Sequence, residues 1–545
     1  MDGQHAPDLD QFTSRRSTVY APNGVVATSQ PLAAEAGAAI LREGGNAFDA
    51  AVTTAAALNV VEPMSTGLGG DVFALYKTAD GEVGALRSCG GAPGDATLDR
   101  VRDRIAADQG VEPDAAEMPT YGPYTITVPG TARGWERTIE DLGTLSLERV
   151  LEPAIEHATE GFPVSEIIAN QWAEGASILR DDTARSAYLP AGRAPEVGEH
   201  VRLPALGETM RRIAEDGADV FYEGAIAEEI VSAVQSRDGF LTLEDLASFE
   251  PEYVDPISTT YSGAEIFQLP PNNQGIVALE ALNIAEALGA GDHPPDSPER
   301  IHLAVEAAKR ALTDGLFHVT DPEYENIPNI GSKTYAAERA DDIGTEATQD
   351  VDIGHPSANG NAENADTVLL TVADEQGNVV SYINSRFKDF GSGVVAGDTG
   401  VALQNRGSSF SLDPDHPNRI EPGKRPFHTL IPGLVRFDES DWAAFGVMGG
   451  YMQPQGHLQV LLNLLEDGMS LQEAMDAPRW RYQVDGQLAV EGRYDGNVLT
   501  KLARRGHEVR VRPPGHFGGS QITRNDDGTL SGATDPRKDG SVVGF

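Results

Sequence analysis

Cysteine is almost absent from this sequence. Cys89 is the only one in 545 residues, so no internal disulfide can form. Its setting, RSCGGAPG, suits an inert small residue. Positive charge is scarce as well: 41 Lys and Arg stand against 84 Asp and Glu, a formal net charge of -43. Such a chain repels nucleic-acid phosphates and anionic lipid headgroups, which excludes both as partners. The acidic residues are scattered and form no terminal block. They read as a solvated surface suited to high salt, where counterions screen self-repulsion. An acidic patch for a cationic substrate explains fewer of the charges.

Long hydrophobic runs are missing too. No stretch is long and apolar enough to span a bilayer. The opening MDGQHAPDLDQFTSRRSTVYAPNG has no apolar core of signal-peptide length. Arg15 and Arg16 resemble a twin-arginine pair, but no hydrophobic run follows them. The expected location is the cytoplasm, in a high-salt environment. The 12 histidines show no paired ligand spacing, and His355, His416 and His428 stand isolated, so no metal or other cofactor is expected.

What is present is enough apolar material, 40%, for a sizeable core. Two alanine-rich helices are expected within residues 30–63, split by Gly44-Gly45-Asn46. DVFALYKTADGEVGALRS then reads as a hairpin turning at Asp80-Gly81. Helical spacing recurs near 136–142, 146–160, 207–216, 224–235, 273–289 and 298–316. After residue 366 the texture changes to short alternating runs, TVLLTVAD, NVVSYINS, GVALQN, TLIPGLVRF and WAAFGVMGG, which suggest adjacent strands. Helices return with QGHLQVLLNLLEDGM and SLQEAMDAP. Periodicity gives a mixed α and β protein with helices outside, and a helix–sheet–sheet–helix sandwich is its expected arrangement.

GLGGD, ending at Asp71, lacks the Lys-Ser/Thr of a phosphate loop and reads as a tight turn. GSSFS and GGSQI lack the spacing of a nucleophile elbow. The segment 339–365 is long, polar and nearly without apolar anchors, and loops of that kind are usually functional or disordered. It ends at Asp366, and Thr367 opens an apolar strand. A break between these two would give Thr367 a free α-amine, with a pKa of about 8, beside its own hydroxyl. That amine is the general base that a bare hydroxyl lacks.

Several long blocks, in order, resemble the γ-glutamyltransferase family of N-terminal-nucleophile hydrolases. They are GVVATSQPLAAEAGAAILREGGNAFDAAVTTAAALNVVEPMSTGLGGDVFALY, then TVPGTARGWERTIEDLGTLSLERVLEPAIEHATEGFPV, GKRPFHTLIPGLV, GVMGGYMQPQGH and ATDPR. The resemblance implies an αββα four-layer sandwich made as one precursor. Self-cleavage at Asp366–Thr367 would leave a large chain, 1–366, and a small chain, 367–545, intertwined as one domain. It implies Thr367 as nucleophile, Ser385 as a second hydroxyl near it, and Gly449 and Gly450 as the oxyanion-binding pair. The family's Thr-Thr-His at the cut is here Thr367-Val368-Leu369.

The family grips the α-amine and α-carboxylate of a γ-glutamyl group with an Arg, an Asn and an Asp. Leu98, Phe387 and Ser409 stand at those places, and His428 and Thr429 replace its tandem serines. Arg100 and Arg406 are the nearby cations that could receive a carboxylate. The expected activity is therefore acyl transfer from a γ-glutamyl or related amide to water or an amine. The alternatives are a divergent oxamate- or glutaryl-type amidohydrolase and, in another class, an inactive binding homologue.

Overall fold

In a computed structural model, which describes residues 16–349, 351 and 367–545, the core is two stacked antiparallel sheets of seven strands each. The first sheet runs in the order Ser541–Gly544, Gly24–Thr28, Val368–Asp374, Val379–Ser385, Asp71–Lys77, Val83–Ser88, Glu252–Val254. The second runs Val19–Ala21, Thr529–Thr534, Gly519–Asp526, Asp441–Met448, Gly433–Arg436, Ala264–Gln268, Ile257–Tyr261. Both sheets interleave strands from before and after residue 367.

The strand alternation decides which face goes where. Leu369, Ala373, Val379 and Ile383 of the first sheet meet Leu434, Trp442, Ala444 and Met448 of the second in the layer between them. Val368, Leu370, Val372, Val380 and Tyr382 point the other way, onto helices Pro31–Arg42, Ala47–Val61 and Leu147–Glu160. Ala443, Phe445 and Val447 leave the second sheet toward helices Gly275–Ala287, Pro298–His318 and Met452–Leu465. The four layers are therefore α, β, β and α, as expected. Each large apolar side chain so buried contributes about 1.5–3 kcal/mol.

Gly44-Gly45-Asn46 does divide the first two helices. Asn46 caps the second in a capping box with Asp49, and all 15 residues of Ala47–Val61 are buried. The hairpin turns at Gly81, whose φ of +94° a side chain would strain. Several helices lie beyond the sequence reading, among them Leu98–Gln109, Glu166–Gly175, Lys333–Ala340 and Gly496–Arg504. Leu98–Gln109 buries only Val101, Ile105 and Ala106, so its apolar stripe is thin. Among the described residues no helix is long and apolar enough to cross a membrane. Arg15, His355, Asp366 and most of the 339–365 segment lie outside the described residues.

Candidate active site

Register sets the site. Val368 pairs with Asn384 and Asn384 pairs with Val72, so the next row along the same three strands is Thr367, Ser385 and Asp71. All three lie on the side that faces the second sheet, because Leu369, Ile383 and Phe73 do. The Thr367 hydroxyl donates to Ser385 Oγ at 3.4 Å, and Ser385 Oγ also accepts from the Phe387 backbone N–H at 2.8 Å. Gly70 packs so closely against this strand end that a Cβ there would stand 2.4 Å from the Ser385 carbonyl oxygen. The glycines of GLGGD thus allow two strand ends to close, and deliver Asp71 beside Ser385.

Asp71 anchors a buried polar cluster. Its Oδ2 lies 3.0 Å from His428 Nε2, and its Oδ1 accepts from Gln404 Nε2 at 3.0 Å. Because the Leu430 N–H donates to His428 Nδ1, the imidazole proton belongs on Nε2, pointing at Asp71. Burial pushes the Asp71 carboxyl up to about 7, although Arg406 and Gln404 pull it down. Burial and the nearby Arg406 hold His428 well below its usual range, so it is neutral. Arg406 is brought down to about 10 by burial and remains a cation. It donates to Thr429 Oγ1 at 2.8 Å and lies over the Phe387 ring at 4.3 Å.

Thr367 and Gly449 both border an open cleft of about 860 Å³. Gly449 and Gly450 follow the strand Asp441–Met448 with φ of +116° and +61°, a left-handed path that suits glycine. Gln274 donates through Nε2 to the carbonyls of Gly450, at 2.9 Å, and Thr429, at 2.7 Å, and so ties the glycine turn to the cluster.

The predicted residues thus fall into groups. Thr367 and Ser385 meet, and Gly449 shares the cleft with Thr367. Arg406, His428 and Thr429 are wholly buried and do not line it. Ser409 borders a separate recess with Ser408, Phe427 and Tyr451. Arg100 pairs with Asp95 at the surface.

Residues 33–545 match the Gamma-glutamyltranspeptidase family model. The chain belongs to the γ-glutamyltranspeptidase family. Its relatives include a glutathione hydrolase-like proenzyme of Bacillus subtilis, 37% identical over 97% of this chain and 99% of that one. An oxamate amidohydrolase proenzyme of Klebsiella pneumoniae is 35% identical, over 97% and 100%. The cephalosporin acylase of Bacillus halodurans superposes with a TM-score of 0.90 at 42% identity, covering 99% of each chain. Like these family members, the chain is an enzyme.

Within this γ-glutamyltranspeptidase-family site, sequence reasoning missed Asp71, Gln404 and Gln274. Asp71 had a signal, as the acid closing a glycine-rich turn before a strand. The structure also gathers His302, Glu306 and His507, whose ligand-type atoms lie within 4.8 Å of one another. This trio was not foreseen, since His507 comes from far along the chain. It reads as an ionic anchor, because Lys309 and Arg310 already bind the Glu306 carboxylate at 2.6 and 2.9 Å.

Proposed function

We propose that the chain is a threonine-nucleophile amide hydrolase or acyltransferase that matures by cutting itself between Asp366 and Thr367. The observation that carries this reading is the Thr367 hydroxyl, 3.4 Å from Ser385 Oγ, at the end of a central strand and on the wall of the cleft that Gly449 shares. Thr367 Oγ1 attacks the amide carbonyl while its own α-amine takes the proton. The N–H groups at Gly449 and Gly450 receive the oxyanion, at about 3 kcal/mol for such a donor. The amine leaves with the proton, and water or a second amine collects the acyl group. Residues 1–366 and 367–545 stay together after the cut, because each sheet is woven from both. The protein works in the cytoplasm, with a surface adapted to high salt.

The acyl donor is better read as a glutaryl- or oxamate-type amide than as a γ-glutamyl one. Leu98 and Phe387 cannot hold an α-amine or α-carboxylate as charged or amide side chains do. Arg406, with its neighbours Thr429 and His428, takes the acyl side once Phe387 moves aside, whereas Ser409 opens on the separate recess. Among the described residues Arg406 Nε and Nη2 have no partner, so a carboxylate that displaces Phe387 would find two donors there. The test is a panel of glutathione, a γ-glutamyl anilide, a glutaryl amide and oxamate, with mass spectrometry of the active protein. An unbroken chain that turns over any of them refutes the mechanism. An uncut protein inert on all four would favour the binding homologue. Unchanged KM for carboxylated acyl groups after Arg406 substitution would retire that role.

A further inference from the structure

Cations border the Thr367 cleft in a chain that has few of them. Arg481, Arg537 and Lys538 line it, while Glu166 and Glu174 enter from the helix Glu166–Gly175 and Asp389 from the turn after Ser385. Arg537 is already neutralised by Glu491 and Asp535. Arg481 is not. It is 2% exposed, and its Nη1 donates to the His516 carbonyl at 3.1 Å. Among the described residues no carboxylate pairs with it. Burial alone draws it down to about 10, so it is charged at neutral pH.

Two of its neighbours on the cleft carry buried polar atoms that lack a partner among the described residues, Nε2 of His516 and the side-chain amide oxygen of Gln483. His516, drawn down to about 4 chiefly by burial and then by Arg481, is neutral and can donate from Nε2. The Gln483 amide can turn to present its NH2. A buried guanidinium fork with two flanking amphoteric groups is left incomplete without an anion, and a carboxylate completes it.

We propose that Arg481, with His516 and Gln483, binds a carboxylate carried by the amine half of the substrate, whether the amine released on acylation or the acceptor that later collects the acyl group. This rests on reading Thr367 as the acyl-accepting nucleophile. Once the acyl group sits on Thr367, the amine half must leave or enter through the open cleft, where Arg481 stands. Arg406 is sealed beneath and serves the acyl half. The preferred amines are then amino acids and other amino-carboxylates.

Three anilides test this on the matured protein: butyryl-4-nitroanilide, butyryl-3-carboxy-4-nitroanilide and glutaryl-4-nitroanilide. Calorimetry measures binding of 5-amino-2-nitrobenzoate, the carboxylated amine itself. Arg481→Gln should raise KM for the carboxylated leaving group about tenfold relative to the other two substrates and weaken 5-amino-2-nitrobenzoate by a similar factor. Arg481→Lys, which keeps the charge but not the fork, should fall between. A uniform change on all three substrates, a change confined to the glutaryl one, or no change overturns the assignment. If the wild type hydrolyses none of them and none of the four-substrate panel, the reading of Thr367 has failed and calorimetry decides the subsite alone. Binding that Arg481→Gln weakens keeps the subsite, and absent or equal binding removes it.

Discussion

Asp71 and His428 face each other at 3.0 Å with both side chains wholly buried, one strand away from Ser385. The carboxyl is raised from 3.8 to about 7, chiefly by burial. For an acid raised on folding, the folded state binds the extra proton. Its contribution to stability is fully present below pH 3.8 and is lost as pH rises through 7. The whole swing is about 4 kcal/mol, at 1.36 kcal/mol for each pKa unit. Asp71→Asn should remove this slope. The difference in unfolding free energy between wild type and Asp71→Asn, followed by denaturant titration from pH 4 to 8, should move steadily against the wild type as pH rises. A difference independent of pH would place the ionisation of Asp71 outside this window.

Thr367→Ala removes the hydroxyl on which the proposed maturation break and the proposed acyl-enzyme both depend. A denaturing gel should show one full-length band for this variant and two for the wild type. Turnover should fall by at least about 10³-fold. Thr367→Ser keeps the hydroxyl and should still mature. Ser385→Ala removes the group that receives the Thr367 hydroxyl, a neutral hydrogen bond worth about 1 kcal/mol, so kcat should drop roughly fivefold. A Thr367→Ala protein that still splits before residue 367 would move the nucleophile elsewhere.

The layers were legible because buried strands and Ala-rich helices announce themselves locally. Val368–Asp374 alternates between two apolar environments, and period two places Thr367 and Ser385 on one face once their strands pair. The family blocks supplied Gly449 and Gly450. What a single chain could not reveal were partnerships across hundreds of residues, such as Asp71 with His428 or Gln274 with Gly450. Arg406 drew attention as a cation whose fork could receive a carboxylate. Instead its guanidinium lies over the Phe387 ring and in the field of Asp71. Arg481 drew none, since nothing in APRWRYQ distinguishes a cleft-facing arginine from its ion-paired neighbour Arg479, which is held by Asp535 at 2.8 Å.

A surface carrying a formal charge of -43 repels itself most in dilute buffer. Buried pairs such as Arg425 with Asp321, at 2.9 Å, are shielded from bulk ions, so salt acts on the exposed acids. The unfolding temperature should rise by about 2–4 °C between 50 mM and 2 M KCl, which corresponds to a few kcal/mol for a chain of this size, at roughly 1 kcal/mol per degree. Scanning calorimetry at matched pH checks it, and equal melting in both buffers would remove the high-salt reading.

Gly449 offers the cleanest separation of chemistry from binding. At its φ of +116°, alanine is strained, and the added Cβ would meet Gly518 Cα and Met452 Cβ, each at 3.3 Å. Strain there rotates the neighbouring N–H groups away from the place where the tetrahedral oxygen develops. Gly449→Ala should therefore lower kcat by about 10²-fold, the scale of one lost oxyanion donor, with KM nearly unchanged. Gln274→Ala acts more gently, since it frees the Gly450 carbonyl from its 2.9 Å tether while leaving the glycines in place. A loss of about tenfold in kcat is expected from it. A normal kcat in Gly449→Ala would mean that the oxyanion is held by other groups.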